Sequence, residues 1–475
     1  MQYALNLIRK SVFLFILIIS FCSFFSAENE EMDFMTRSEI ESELKEIKSD
    51  LQECYDVAYY EFLLGNFEEA VKILENIIEK DNYDIEVLNL YTQILYMKGN
   101  YSDAEMILDQ IAESVDDESI MTNIQIKLFK IFYQTNQFEK AENLDKLTKY
   151  EETANMLSWM KLFNGVQPYE MHWLNGLKQT EVEILSLNPL PIIMIELEDK
   201  PVIVFIDTGA DTFVLDSQTA SELNVETVEG FMGSFAGGLN RDVLLGKVNS
   251  IKIGEMLIKN VPVSIMPVRF YTDYLRAYFE SMGIQLPEEF VIQGIVGTKI
   301  LQQVLASINY NDDILLLAEN NRFNLNKFEN NLKKSDYIKI PFYLDNLHTM
   351  VVRGQLNGKN VLFNMDSGLA SSSPIQVYGN TIRDFGFEMP ETSYDENAIG
   401  GGGTGFESAV IDNFFKAGIG NFMIENFTTD YEGGKSDFEY WDSGFIIDAL
   451  LSHGYLSNFT WTIDFKNMNM YLENH

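Results

Sequence analysis

The sequence predicts a multidomain α plus β protein in which α-helical hairpin repeats precede a bilobal all-β domain. Three observations predict this fold class. A helical pattern begins at Gly65 and again at Gly99, short β-rich runs with Gly and Pro punctuation start near residue 180, and four blocks of the β region recur in the same order. A chain of 475 residues has room for two or three domains.

The amino end has the layout of a secretory signal peptide, predicted over residues 1–27. Arg9 and Lys10 precede an apolar run over 11–25, and Ala27 precedes an acidic segment. The alternative is an uncleaved membrane anchor, although the run is shorter than the ~20 residues that a membrane span needs. We therefore expect an exported protein, periplasmic or extracellular, with membrane attachment only through an uncleaved signal or a lipid anchor.

Composition excludes several classes of function. Lys and Arg number 34 against 72 Asp and Glu, a net charge of −38 that argues against nucleic acid and anionic membrane surfaces as partners. The four His residues are scattered, without the paired spacing of a zinc site, and no phosphate loop or dinucleotide fingerprint is present. A Gly-x-Ser-x-Gly nucleophile elbow is also missing. We expect no metal and no cofactor.

The helical repeats read GNFEEAVKIL from Gly65 and GNYSDAEMIL from Gly99, and a degenerate third copy, NQFEKAENL, begins at Asn136. Each copy places an aromatic residue and then Ala after a turn, which is typical of a helical hairpin that packs closely at the small residue. The period resembles that of tetratricopeptide repeats, predicted over residues 36–150. This resemblance implies a surface for a protein partner; the alternative is a helical spacer or cap.

The β region divides into two related lobes, predicted over residues 185–320 and 336–475. Residues 151–184 are predicted to link the repeats to the first lobe, and the Asn- and Lys-rich segment 321–335 to link the lobes. The recurring blocks start at Pro201 and Asn360, at Ile253 and Ile419, at Gly294 and Phe445, and at Ser307 and Thr462.

The first pair of blocks carries one carboxylate in each lobe. Asp207 is followed by Thr208 and Gly209, and Asp366 is followed by Ser367 and Gly368, each after an apolar run. Gly lets the chain turn sharply beside the carboxylate, and the hydroxyl can hold the turn by hydrogen bonds. Lobe symmetry would bring the two carboxylates together, so that one keeps a proton while the other deprotonates a water that attacks a peptide carbonyl.

Residues 185–475 resemble the retropepsin-like aspartic proteases, as a fused counterpart of their homodimer. The resemblance rests on Asp207-Thr208-Gly209-Ala210 and on Ile295-Val296-Gly297, a segment that packs behind the catalytic loop in that family. It implies that Asp207 and Asp366 are catalytic, with Thr208, Gly209, Ser367 and Gly368 supporting their loops. It also implies Gly-rich flaps in 233–240, with Gly233, Gly237 and Gly238, and in 399–406, with Gly401 and Gly402; ordinary hairpin turns are the alternative.

The second lobe departs from the pattern. Its rear segment is predicted at Ile446-Ile447-Asp448, without a Gly, Leu369 follows its catalytic Gly, and the first lobe has an insertion over 268–290. We expect an exported aspartic endopeptidase that cleaves polypeptides and uses its repeats for substrate or partner binding. The alternatives are an inactive pseudo-protease adaptor that binds peptides through its cleft and repeats, or repeats that act as an inhibitory or dimerising segment.

Other residues near the motifs have simpler expected roles. Asp211 and Asp216 are expected at surface or turn positions, with an ion pair near the dyad as the alternative. Asp442 begins another Asp-Ser-Gly, but no apolar strand precedes it, so a plain turn is expected. Ala210 and Leu369 place no hydroxyl beside either catalytic Gly, which predicts a less stabilised ionised dyad and a working pH nearer neutral than strongly acidic.

Overall fold

The computed structural model describes residues 35–50, 54–80, 84–332, 336–371, 373–432 and 443–474. The predicted signal peptide and Asp442, the first residue of the third Asp-Ser-Gly, lie outside these ranges. Among the residues that the structure describes, no helix combines the length and the apolar character needed to cross a membrane.

The amino-terminal region is built of paired helices that turn where the repeats predict. The helices are α1 (Arg37–Asp50), α2 (Tyr55–Leu63), α3 (Phe67–Lys80), α4 (Ile85–Met97), α5 (Tyr101–Ser114), α6 (Glu118–Gln134) and, after two short 3₁₀ turns over Phe138–Asn143 and Asp145–Lys149, α7 (Glu151–Lys161).

Local sequence explains where these helices begin and turn. The side chains of Asp84 and Asp117 accept hydrogen bonds from the first free amides of α4 and α6, so each caps its helix. The hairpins turn at Gly65, Gly99 and Asn136, whose φ angles of 73°, 75° and 60° lie in the left-handed region that Gly and Asn tolerate best.

The segment predicted as a linker, 151–184, is largely folded. It contains α7, then β1 (Glu170–Trp173) and most of β2 (Gln179–Ser186). The indole of Trp159 is fully buried and donates to the Gly246 carbonyl at 2.7 Å, and Asn155 donates to the Gly230 carbonyl at 2.8 Å. Helix α7 therefore fixes the helical region to the first lobe.

Each lobe is a β structure with short helices. The first contains β3 (Ile192–Leu197), β4 (Lys200–Ile206), β5 (Phe213–Asp216), α8 (Ser217–Leu223), β6 (Glu226–Phe235), β7 (Leu239–Ile253), β8 (Met256–Met266), α9 (Phe270–Ser281), β9 (Ile292–Val296), α10 (Thr298–Leu301), β10 (Val304–Asn309) and β11 (Ile314–Glu319). Helix α11 (Arg322–Leu332) occupies most of the predicted interlobe linker. The second lobe contains β12 (Tyr337–Leu344), β13 (Met350–Leu356), β14 (Lys359–Met365), β15 (Ile375–Val377), α12 (Gly379–Asp384), β16 (Ser393–Gly400), β17 (Gly403–Ile419), β18 (Phe422–Glu432), β19 (Ala449–Leu451), α13 (His453–Leu456), β20 (Phe459–Asp464) and β21 (Asn469–Asn474).

One antiparallel sheet joins the lobes, in the order β2, β11, β10, β20, β21, β12. At its centre Ser307 lies opposite Thr462, and the Thr462 hydroxyl donates to the Ser307 hydroxyl at 2.8 Å. These two residues begin the last pair of recurring blocks. Equivalent positions of the two lobes therefore meet at the axis that relates them.

The helical region also packs tightly against the second lobe. A Cβ atom on Gly65 would lie 2.3 Å from a Leu362 methyl, so the first hairpin turn approaches the lobe more closely than another residue allows. Arg37 donates twice to Asp448, at 2.7 and 2.8 Å, and the Asp448 side chain is fully buried. The repeats and the β domain thus share one buried interface.

We predict that Arg37→Ala lowers the free energy of unfolding by about 3–5 kcal/mol, because it leaves the Asp448 carboxylate buried without its cationic partner. Urea denaturation followed by tryptophan fluorescence measures this loss. Lys72→Ala is the control, since its ammonium lies 4.0 Å from Glu69 and both side chains are exposed; this change should cost less than about 1 kcal/mol. Equal losses in the two variants would contradict the prediction.

Candidate active site

The two Asp-hydroxyl-Gly motifs form matching loops at the ends of equivalent strands. The Asp207 amide donates to the Val296 carbonyl at 3.0 Å, and the Gly209 amide donates to Asp207 Oδ1 at 2.7 Å. In the second lobe the Asp366 amide donates to the Leu451 carbonyl at 2.9 Å. Asp366 Oδ1 in turn accepts from the amides of Gly368 and Leu369, at 2.8 and 2.9 Å. Each carboxyl is therefore held by the backbone of its own turn.

Thr208 and Ser367 lock the two loops to each other. The Thr208 amide donates to the Ser367 hydroxyl, and the Ser367 amide donates to the Thr208 hydroxyl, both at 3.0 Å. The hydroxyls themselves donate across the interface, Thr208 to the Met365 carbonyl at 2.8 Å and Ser367 to the Ile206 carbonyl at 3.0 Å. Both side chains are buried. The four bonds fix the loops in one relative position.

This lock brings the two carboxyls into contact. Each carboxyl lies directly against the Gly of the opposite loop, and two carboxyls so close together can hydrogen-bond only when one of them is protonated. A Cβ atom on Gly368 would lie 2.3 Å from Asp207 Cγ, and one on Gly209 would lie 2.8 Å from Asp366 Cγ. Because no larger residue fits there, the two Gly residues are a condition of the carboxyl pair.

The surroundings of the two carboxyls favour retention of one proton by the pair. Burial, and then repulsion from Asp366, raise the pKa of Asp207 well above its ordinary value. Burial also raises the pKa of Asp366, against the backbone amides of Gly368 and Leu369, which favour its ionised form. Since two adjacent carboxylates repel each other, the pair titrates as a unit and favours a singly ionised state.

The rear segment of the second lobe lies four residues beyond its predicted place. Strand β9 runs parallel to β4 and pairs Ile206 with Val296, and β19 runs parallel to β14 and pairs Met365 with Leu451. The counterpart of Ile295-Val296-Gly297 is therefore Leu450-Leu451-Ser452. The prediction of Ile446-Ile447-Asp448 was wrong because it followed sequence similarity across a connection that differs in length between the lobes.

The replacement of Gly297 by Ser452 has a structural reason. A Cβ atom on Gly297 would lie 2.2 Å from the Thr212 carbonyl oxygen, so the first catalytic loop presses directly on this residue. Ser452 is fully buried, and its hydroxyl donates to the Ser373 carbonyl instead. The missing Gly does not disturb the second carboxyl, whose loop keeps its hydrogen bonds.

The predicted flap glycines lie at or near the tips of two hairpins. Gly237 and Gly238 belong to the 3₁₀ turn between β6 and β7, and Gly233 lies in β6. Gly401 and Gly402 form the turn between β16 and β17.

The two tips touch each other. Arg241 donates to the Gly402 carbonyl, and a Cβ atom on Gly401 would lie 2.7 Å from the Phe235 ring. Phe235 belongs to a hydrophobic cluster that also includes Ala210 and Ala370 from the two catalytic loops. The hairpin tips and the catalytic loops therefore pack against one hydrophobic cluster.

The insertion over 268–290 contacts both lobes beside the catalytic loops. Its helix α9 contacts β16 of the opposite lobe, and the Tyr274 hydroxyl donates to the Ala370 carbonyl at 3.4 Å. Tyr271 packs edge-on against Phe205, and both dyad carboxyls contribute to raising its pKa, after burial. The insertion therefore bridges the lobes rather than packing only on the surface of its own lobe.

Asp211 and Asp216 do not have the surface or turn roles that the sequence predicts. Asp216 is buried, caps α8 through the Thr219 amide and forms an ion pair with Arg269 at 2.8 Å. Asp211 accepts a hydrogen bond at 2.5 Å from Tyr133 of the helical region. No spacing in the sequence signals either contact, since the partners lie 53 and 78 residues away.

Within the described ranges, no cluster of three or more His, Cys, Asp or Glu side chains is arranged to hold a metal ion. That no cofactor is needed stays a prediction.

Two family models match parts of the chain. An aspartyl protease family model matches residues 193–300, and a tetratricopeptide repeat model matches residues 62–125. The recognition from the sequence is confirmed. The chain has tetratricopeptide repeats followed by a retropepsin-like aspartic-protease domain, as the predicted fold class states.

Other comparisons give distant likenesses. No curated protein matches the chain. A crystal structure of a retropepsin-like aspartic protease from Rickettsia conorii is 14% identical, with 32% of this chain and 97% of that chain covered and a TM-score of 0.21. Conglutin gamma, a basic 7S globulin from lupine seeds, is 11% identical, with 63% of this chain and 95% of that chain covered and a TM-score of 0.33.

We predict that Thr208→Val lowers the free energy of unfolding by about 2–4 kcal/mol, because the Ser367 amide and the Met365 carbonyl lose their buried partner. Chemical denaturation measures the change. Thr208→Ser keeps the hydroxyl and removes one methyl group, so it should cost about 1 kcal/mol. If Ser and Val were equally destabilising, the interlobe hydrogen bonds would not hold the loops.

Proposed function

We propose that this protein is an exported aspartic endopeptidase that cleaves polypeptides with a water activated between Asp207 and Asp366. The observation that carries the proposal is the close approach of the two carboxyls, each of which lies against the Gly of the opposite loop and is held there by the reciprocal bonds of Thr208 and Ser367. The layout of the amino end supports export. An adaptor without activity has no need of a matched, proton-sharing pair.

The pair supplies both halves of acid–base catalysis. The ionised carboxyl removes a proton from water, whose oxygen attacks the carbonyl carbon of the scissile peptide. The protonated carboxyl donates its proton to the carbonyl oxygen, which gives a neutral tetrahedral diol. Return of a proton to the peptide nitrogen and cleavage of the C–N bond then release a carboxyl and an amine. Either Asp can take either part, because the proton belongs to the pair.

The surroundings suit a polypeptide substrate. The two hairpin tips meet each other, share one hydrophobic cluster with the catalytic loops, and lie beside helix α9, which contacts the second loop at Ala370. An extended peptide held there is shielded from bulk water, which strengthens the electrostatic interactions at the dyad. The repeats contribute a second surface, for substrate or for a protein partner, while the hairpin turns at Gly65 and Gly99 attach to the second lobe.

We predict that Asp207→Asn and Asp366→Asn each lower turnover of a mixture of denatured proteins by about 10²–10⁴-fold, since each removes one half of the acid–base pair. Release of new amino termini measures turnover. Asp199→Asn is the matched control, because Asp199 is exposed in the β3–β4 turn. Retention of activity by either dyad variant would refute a shared pair. Unfolding midpoints at pH 7 should show that the dyad variants stay folded, because Asn removes a buried charge and introduces none.

We predict that kcat/KM reaches its maximum above about pH 4, the region where an ordinary Asp titrates. Burial raises the pKa of both carboxyls, so the singly ionised form appears at a higher pH than an exposed Asp would allow. Repulsion between two carboxylates opposes loss of the second proton and keeps that form populated to a still higher pH. As the pH falls, the second proton binds and turnover declines. A pH profile between about 3 and 8 checks this. A maximum below about pH 4 would contradict the raised pKa of the dyad.

A further inference from the structure

The catalytic loop of the first lobe is contacted from behind by the helical repeats. Tyr133, in the last turn of α6, is fully buried, and its hydroxyl donates to Asp211 Oδ2 at 2.5 Å. Asp211 lies four residues after Asp207 in the same loop. A side chain of the helical region thus ends on the loop that carries one catalytic carboxyl.

A buried lysine fixes the same contact from the other side. Lys299 is fully buried, and its ammonium donates to the carbonyls of Tyr133 and Gln134 and to Asn136 Oδ1, at 3.1, 3.0 and 3.1 Å. Carbonyls at the end of a helix have no helical partner and carry partial negative charge, so a cation there is favoured. The three bonds use all the donors of the ammonium.

Lys299 belongs to the segment directly behind the catalytic loop. Its amide donates to the Asp211 carbonyl at 2.9 Å, and the Thr298 amide donates to the Ala210 carbonyl at 2.9 Å. The catalytic loop and the segment behind it are therefore one hydrogen-bonded unit. The end of helix α6 is hydrogen-bonded to this unit at two points, Asp211 and Lys299.

Among its described residues, the second lobe has no equivalent contact. Ala370 stands at the position of Asp211, and Gly454 at that of Lys299, as the paired strands align the lobes. The Ala370 carbonyl accepts instead from Tyr274 of the insertion. The two catalytic loops are thus supported by different parts of the chain, and only the first by the repeats.

We propose that Tyr133 is a positioning residue for catalysis, which holds Asp207 in register with Asp366 by fixing Asp211. The proposal rests on the proposed function, because it assigns Tyr133 a part in the work of the same dyad. It also gives the repeats a role within the active site besides partner binding. Small displacements of a catalytic group lower the rate steeply, so support at this distance affects turnover more than substrate binding.

Several charged and titratable groups face Asp211, and each bears on a pH profile. Burial raises the pKa of Asp211 to about 6, while Lys299 and the Tyr133 hydroxyl oppose the rise. The other groups within electrostatic reach are Tyr96 from α4, Tyr169 before β1, and Asp345 from the second lobe. Loss of the Tyr133 hydroxyl should raise the pKa of Asp211 further, because the bond favours the ionised form.

The test compares Tyr133→Phe with Tyr91→Phe in the full chain. Tyr91 is the control, since its hydroxyl donates to the carboxylate of Glu75, another residue of the repeats, at 3.1 Å. We expect Tyr133→Phe to lower kcat about tenfold with KM changed less than about twofold. Amide hydrogen exchange over residues 207–212 should become about tenfold faster in Tyr133→Phe and stay at the wild-type rate in Tyr91→Phe.

A double-mutant cycle shows whether Tyr133 acts through Asp211. In an Asp211→Ala background, Tyr133→Phe should cause no further loss of kcat and no further rise in exchange. Unchanged exchange over 207–212 in Tyr133→Phe, or additive effects in the cycle, would overturn the proposal. Because exchange is measured without turnover, it decides the positioning role even if the wild type cleaves nothing, a result that would refute the proposed function separately.

Discussion

The reciprocal hydrogen bonds between Thr208 and Ser367 set the geometry on which the candidate site depends. Each residue offers its amide to the hydroxyl of the other, and each hydroxyl reaches a carbonyl of the strand that ends at the opposite carboxyl. All the polar groups involved are buried and satisfied, so a shift of either loop would leave several of them without partners. The contact of the two carboxyls follows from this lock.

The pair of carboxyls is otherwise unfavourable, and the surrounding structure has to offset it. Burial and repulsion raise the pKa of Asp207 well above its ordinary value, so the fold holds a carboxyl in a state that water would not favour. The interlobe sheet centred on Ser307 and Thr462, and the helical region docked through Arg37 and Tyr133, supply contacts outside the carboxyl pair that hold the lobes in place. Catalytic centres often contain an unfavourable arrangement of this kind, which contacts elsewhere in the structure stabilise.

Local and repeated features were predictable from the sequence, and contacts between distant segments were not. The motifs at Asp207 and Asp366 and the hairpin turns at Gly65 and Gly99 depend on a few neighbouring residues, so their patterns are visible. The rear segment of the second lobe was misplaced because β19 has only three residues and follows a connection of different length. The contacts of Tyr133 with Asp211 and of Arg37 with Asp448 join residues 78 and 411 positions apart, and no periodicity encodes such pairs.

Whether the two lobes share one carboxyl pair can be tested directly by measuring the titration of the Asp207 carboxyl. Carboxyl ¹³C shifts of aspartate-labelled protein, followed against pH in the wild type and in Asp366→Asn, report the titration of Asp207 itself. We expect Asp207 to titrate at a lower pH in Asp366→Asn, because the repulsion and the hydrogen bond from Asp366 both raise the pKa of Asp207 in the wild type. An Asp207 titration that is the same with and without the Asp366 carboxyl would show that the two groups do not interact.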